Sequence, residues 1–298
     1  MKKLSLLLIL AAGCLWGTMG LFVHTLEDAG LSTMLMVVIR AAITSVVLFV
    51  GIAMVKPSLL RVNPKHLWCF FGTGICSVVF FNVCYIRTIA ATSMSVAAVL
   101  MYTSPIFVML LCRLLFQEAF TARKWLALGL AFSGCLLVSG ILLGNAPLTP
   151  LGFLTGIGSG FGYGLYSIFS RYAMRYGYSG WTITAYTFLF AAVGGAVFCD
   201  FGTLATAVQT RGGFAIWFFL LFAATTTLLP YLCYTIGLQR TDTSKASVIV
   251  SIELVVASLN GFLFYREIPS VSTVLGILLV LAAVVTASMP SKAKVHDR

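Results

Sequence analysis

The chain has 298 residues, of which 60% are hydrophobic and only 9% charged, and its mean hydropathy is +1.04. Soluble domains carry about a quarter charged residues, because water must solvate their outside, so a water-facing globule is excluded. Long apolar runs make the apolar surroundings a bilayer, and the expected class is all-α integral membrane.

Apolar runs of about 20 residues, enough to cross a bilayer as a helix, fall at 4–24, 32–55, 67–90, 94–116, 123–143, 150–174, 180–201, 214–238, 243–265 and 270–289. They are continuous rather than alternating, so ten transmembrane helices are expected and not a barrel. At the N-terminus, Lys2-Lys3 before Leu4 to Ala12, with Ala11-Ala12-Gly13-Cys14 behind, resembles a cleaved leader. The apolar run continues through Trp16 to Val23, however, so this segment is expected to remain as the first helix. The connections are short and carry Pro, Gly or charge, as at Lys56-Pro57, Asn63-Pro64-Lys65 and Gly144-Asn145-Ala146-Pro147. Thr88 to Ser93 is the least polar break.

The net charge of +11 reports orientation. With the N-terminus inside, 15 of the 19 Lys and Arg residues fall in inner segments, Arg87, Arg211 and Arg266 fall outside, and Arg40 lies within a span. That is the positive-inside pattern. It predicts a multi-pass plasma-membrane protein with both termini cytoplasmic, and no nucleic-acid partner. All eight cysteines fall inside predicted spans without a CxxC pair, and the three histidines, His24, His66 and His296, are scattered. Neither a disulfide framework nor a metal site is implied.

The two halves resemble each other. Cys14-Leu15-Trp16-Gly17 falls on Phe161-Gly162-Tyr163-Gly164, Cys84-Tyr85 on Cys233-Tyr234, Thr92-Ser93-Met94-Ser95 on Thr241-Asp242-Thr243-Ser244, and Glu118 on Glu267. Repeats are thus expected over 4–143 and 150–289, with five spans each. Five is odd, so the second repeat enters the membrane from the opposite side. Two inverted five-helix repeats are the construction from which many secondary transporters obtain alternating access, with substrate near the midplane between them.

Leu15-Trp16-Gly17, Ile39-Arg40, Thr103-Ser104-Pro105 and Phe116-Gln117-Glu118, with Glu253 and Tyr265-Arg266-Glu267 in the second half, resemble the drug/metabolite transporter superfamily, EamA type. The resemblance covers nearly the whole chain. It implies a ten-helix inverted-repeat fold without bound cofactor, helices 5 and 10 at the periphery, and transport of amino acids, nucleobases, amines or related metabolites. The family often has Glu-Pro in the ninth helix. Here Leu254 follows Glu253, which removes the kink such a proline would make.

Two charges lie deep in predicted spans. Arg40 is about 13 Å from the outer face and Glu253 on the order of 15 Å from the inner one, at 1.5 Å per residue. Charges there face the bundle interior, pair with each other or line a pathway. One reading is a structural pair, or Arg40 bonded to backbone carbonyls. The other gives Glu253 a proton-coupling or amine-binding role and Arg40 a carboxylate to hold.

Trp68, Trp125, Trp181 and Trp217 start spans, where amphipathic rings settle at headgroups, whereas Trp16 is mid-span. With Asn82, Tyr85, Tyr102, Tyr163, Tyr166, Tyr231 and Tyr234 it makes a candidate cavity that would stack on a substrate or hold a cation against ring faces. Plain helix packing is the competing reading for any single ring. Pro105 and Pro230 interrupt spans and are expected to kink them. Gly156-Ile157-Gly158-Ser159-Gly160 opens like a dinucleotide fingerprint, but Phe161 stands in place of the third glycine and the segment lies inside a span.

The expected function is therefore secondary transport of small metabolites by alternating access, with the bilayer and a small-molecule substrate as partners and protons coupled through Glu253. The competing class is a membrane-embedded enzyme acting on a lipid-linked substrate. It would need clustered acids or histidines, and only eight acids exist.

Overall fold

The structure, a computed structural model, describes residues 2–27, 30–119, 121–139, 149–266 and 270–289. Among them every regular element is helical, and each of the ten expected stretches is helix. The first contains α1 (Lys2–Trp16) and α2 (Met19–Glu27), the second α3 (Thr33–Val55). The third runs α4 (Leu67–Phe71), a π segment Gly72–Val79 and α5 (Phe80–Ala91), and the fourth α6 (Met94–Met101) and α7 (Ser104–Phe116). Single helices follow: α8 (Ala122–Val138), α9 (Pro150–Arg175) and α10 (Gly180–Ala196). Then come α11 (Gly202–Ala223), a π segment Ala224–Leu228 and α12 (Leu229–Leu238), α13 (Thr243–Ile249) and α14 (Ile252–Tyr265), and α15 (Val271–Ser288).

Side-chain caps set many of the starts. Ser32, Ser93, Thr121, Thr149, Ser179 and Ser270 each accept the backbone N–H three residues on, satisfying a donor the helix cannot. Helix α11 begins at Gly202 rather than 214, because Thr, Ala, Val and Gln before the apolar run are compatible with helix even where they do not mark membrane.

Seven stretches are long and apolar enough to cross a membrane. The remaining three expected spans hold α8 and α10, each 17 residues as described, and α9, whose 26 residues are rich in Gly, Ser and Tyr. The outside of the molecule is greasy: Leu4, Val50, Met54, Leu114, Val197 and Phe264 are all more than half exposed. The inside holds Thr73, Ser77, Thr187, Thr226, Arg40 and Glu253. That distribution inverts a soluble protein's and suits lipid surroundings.

The packing maps onto itself when the halves are exchanged. Helix α5 lies along α9 as α12 lies along α1, while α3 pairs with α10 and α8 with α15. Each half has a π segment, and each has a helix broken near its middle, at Tyr102-Thr103 and at Val250-Ser251. Gln117 (φ 57°) and Arg266 (φ 56°) are both left-handed at matching positions. Glu267, Asp28 and the loop at 144–148 fall outside the described residues.

The first stretch breaks at Gly17-Thr18, where it lies close against α14. A Cβ on Gly17 would lie 2.7 Å from the Glu253 carbonyl oxygen and 2.6 Å from Val256 Cβ, so only glycine allows α1 so close to α14. Asn260 Nδ2 donates to the Gly17 carbonyl at 3.1 Å.

Pro105 acts as a helix starter, in the first turn of α7 just after a break, where no N–H is needed. Pro230 lies within the continuous helical stretch Ile216–Leu238, directly after the π segment Ala224–Leu228, and a π turn is one of the local adjustments that let a helix carry a proline. The ninth stretch bends without one. At Val250-Ser251 three-residue bonds, Glu253 N to Val250 O and Leu254 N to Ser251 O at 3.1 Å each, replace the helical pattern. A missing proline therefore does not mean a missing break.

Candidate functional site

Between the halves lies a tightly filled cavity of about 20 Å³, room for little more than one water. Its lining comes from α1 (Trp16), the first π segment (Ser77, Val78), α5 (Phe81), α7 (Ser104, Val108), α9 (Tyr163, Gly164, Tyr166, Ser167), α12 (Tyr231, Tyr234), α13 (Ser247) and Val250. The rings fill much of it. Trp16 meets Tyr231 edge-on at 4.9 Å, Tyr234 at 5.6 Å and Tyr163 at 6.5 Å, and Tyr166 meets Tyr231 at 5.0 Å. Two hydroxyls are engaged, Tyr166 with Thr235 Oγ1 at 2.7 Å and Tyr234 with Ser167 Oγ at 2.8 Å. The Tyr163 hydroxyl is buried with no partner among the described residues. An unsatisfied buried hydroxyl is costly, and this one belongs to a cavity-lining ring.

Five of the eight proposed cavity residues thus line one space: Trp16, Tyr163, Tyr166, Tyr231 and Tyr234. The other three lie off it. Asn82 turns back on its own helix, its Nδ2 donating to the Val78 carbonyl at 2.8 Å. Tyr85 packs on Phe81, ring centroids 5.7 Å apart. Tyr102, at the break after α6, donates its hydroxyl to Glu253 Oε1 at 2.5 Å. Trp68, Trp125, Trp181 and Trp217 are each more than 40% exposed, unlike Trp16.

Glu253 stands in the first turn after the Val250-Ser251 break and is 9% exposed. Its bond to Tyr102 joins the two broken helices. It also lies within electrostatic reach of Tyr85, Tyr163, Tyr231 and Tyr234. Arg40, 6% exposed, makes no ion pair with it. Its Nη1 contacts Met19 Sδ at 3.4 Å, its guanidinium lies 5.9 Å from the Phe222 ring centre, and Tyr231 is within electrostatic reach. The two buried charges therefore both act on Tyr231 without meeting, and the structural-pair reading does not hold.

A second cluster ties the halves at one face. Glu118, in the connection after α7, accepts Ser244 Oγ at 2.7 Å and the Thr243 backbone N–H at 3.3 Å from the start of α13. Lys124 Nζ of α8 lies 3.1 Å away and Arg171 Nη1 of α9 3.4 Å away. Arg171 also donates to Thr243 Oγ1 at 2.9 Å, and Arg171 and Arg175 stack over Phe116. Burial pushes the Glu118 carboxyl up, but the Ser244 hydrogen bond, Lys124 and Arg171 together outweigh it and hold it below the usual carboxylate range. Sequence reasoning missed this cluster because its members lie far apart in the chain. It also did not single out Ser77, Ser167 and Ser247 of the cavity lining.

Comparison with known proteins agrees with this architecture. The chain is 28% identical over 281 residues, 94% of each chain, to a protein of Archaeoglobus fulgidus named an uncharacterized transporter. It is 32% identical over 111 residues to another protein so named from Synechocystis sp., covering 37% of this chain and 33% of that one. A solved crystal structure matches its fold with a TM-score of 0.76 at 16% identity, over 96% of this chain and 97% of the other. The model of the EamA-like transporter family matches twice, at residues 3–140 and 150–289. The chain is a multi-pass membrane transporter and belongs to the EamA-like transporter family.

Proposed function

We propose that the protein is a secondary active transporter of amino acids, amines or related small metabolites, working by alternating access around the aromatic cavity. In this reading the chain crosses the plasma membrane ten times as two inverted five-helix repeats, 4–143 and 150–289, with both termini cytoplasmic. The observation that carries it is the cavity itself. It is built from both halves, it lies where helices are broken, and a buried carboxylate stands beside it. Broken helices at the repeat interface are where such transporters bind substrate. The rings supply faces for a cation or an aromatic group, and Glu253 supplies a protonatable anion. In this reading the Glu118 cluster, on the face bearing Lys124, Arg171 and Arg175, lies on the inner side by the positive-inside rule and is a contact that inward opening would have to break.

The reading is tested by thermal-shift screening of purified protein against amino acids, amines and nucleobases, followed by Trp16→Ala. Removing a ring that touches three tyrosines is expected to weaken the best ligand about tenfold, from lost ring contacts worth about 1 kcal/mol or more, while expression and insertion persist. Unchanged affinity in Trp16→Ala would remove substrate binding from this cavity. Topology has its own measurement, in a background lacking native cysteines. An impermeant thiol reagent applied to intact cells should label Asn145→Cys and spare Lys65→Cys, and the reverse pattern would invert the assignment.

A further inference from the structure

On the lipid-facing surface, between α3, the 3-10 turn Pro57–Leu60 and α12, runs an apolar groove of about 510 Å³. Leu48, Ile52 and Leu232 form its buried floor, and Val47, Val55 and Leu229 its exposed walls. Gly51 opens directly onto it. A Cβ built there meets nothing within 4 Å, whereas at Gly134 or Gly276 it would strike backbone. Glycine inside a helix destabilises it relative to alanine, and no neighbour requires it here; what it does is keep the groove deep along α3.

Polar chemistry is confined to one end. Lys56, exposed at the end of α3, is the charged residue of the lining, and Trp181, 45% exposed, stands beside it at the first turn of α10. A tryptophan at a span end marks headgroup level. The turn forming this end is pinned in place: Thr182 Oγ1 donates to the Leu59 carbonyl and the Tyr186 hydroxyl to the Leu60 carbonyl, both at 2.9 Å. The groove is therefore preformed, apolar along its length and cationic only at the interface.

We propose that the groove binds an anionic phospholipid, one acyl chain lying along Gly51 and the phosphate meeting Lys56. The charge placement selects this occupant: a cation at headgroup level, at one end of an apolar groove, matches the anionic headgroup and acyl chain of one lipid. The inference rests on the membrane-spanning reading. Its location gives it consequence, because the groove follows the seam between α3 of the first half and the π segment and α12 of the second.

The test uses the full chain, delipidated in detergent and titrated with phosphatidylglycerol or phosphatidylcholine, with lipid retention read by native mass spectrometry. Wild-type protein should retain phosphatidylglycerol about fivefold better than phosphatidylcholine, the effect of one cation near a headgroup. Lys56→Gln should erase that preference while both lipids still bind. Gly51→Phe should fill the groove and lower retention of both about tenfold, the loss of contact for about two methylenes. Gly51→Ala, which fits the open space, should bind like wild type and shows that the position tolerates change. Undiminished retention in Gly51→Phe overturns the proposal, as does spontaneous crosslinking of Gly51→Cys between copies, which would assign the groove to a second copy. Trp16→Ala should retain lipid normally, so failure of the transport reading is seen separately.

Discussion

Glu253→Gln should abolish gradient-driven accumulation in vesicles while substrate exchange continues. Glu253 is buried, its hydrogen-bond partner is a neutral phenol, and no cation pairs with it among the described residues. A carboxyl in that position is cheaper to carry through a closed, dry intermediate when neutral than when ionised. Protonation would then decide when the empty carrier may reorient, and so tie substrate movement to the proton gradient. Glutamine keeps the shape and an acceptor for Tyr102 but cannot take up and release a proton. Exchange needs no release, so it should survive, while accumulation under an imposed proton gradient should fall to passive leak. Undiminished accumulation would strip Glu253 of the coupling role and leave it as the structural link between two broken helices.

The second large effect is expected at the α8–α15 contact. A Cβ on Gly276 would come 2.7 Å from the Gly134 carbonyl oxygen, and one on Gly134 2.8 Å from the Gly276 carbonyl oxygen. The two backbones touch, as small residues permit in membranes, and Ala127, Ala131 and Ala283 are buried in the same seam. Gly276→Leu has no flexible neighbour to push aside. Overpacking of this kind costs about 1–3 kcal/mol, which should appear as a lowered melting temperature and poorer yield. Gly276→Ala sharpens the sign. At an unconstrained helical position it would stabilise by about 0.5–1 kcal/mol, so a raised melting temperature would mean the helices can part freely.

Much of the fold was legible because bilayer crossing demands long apolar runs, and those runs became helices. Where the rule reads composition rather than geometry it slips. The glycines that dilute the hydropathy of α9 let its backbone lie against α5 to α7, so a helix central to the packing is among the less apolar of the described ones. Trp16 stood out because a mid-span tryptophan has no headgroup to reach, and it does meet Tyr163, Tyr231 and Tyr234. The π segments left no pattern to read, since an i→i+5 turn uses the same residues as an α turn. The separation of Arg40 from Glu253 was equally invisible. Depth along a span can be counted, but rotation about the bundle axis depends on which helices pack together.

If the carrier alternates as proposed, Glu118 has a consequence for how its face opens. Its two carboxylate oxygens serve donors from α8, α9 and the start of α13 at once. Drawing α13 aside takes away Ser244 and Thr243 together and leaves Lys124 and Arg171 facing an unanchored anion, so no partner can leave without weakening the hold on the rest. Opening is then a threshold event rather than a gradual widening. With Arg171 28% exposed and charges in water screened over about 8 Å at physiological ionic strength, the height of that threshold falls as salt rises.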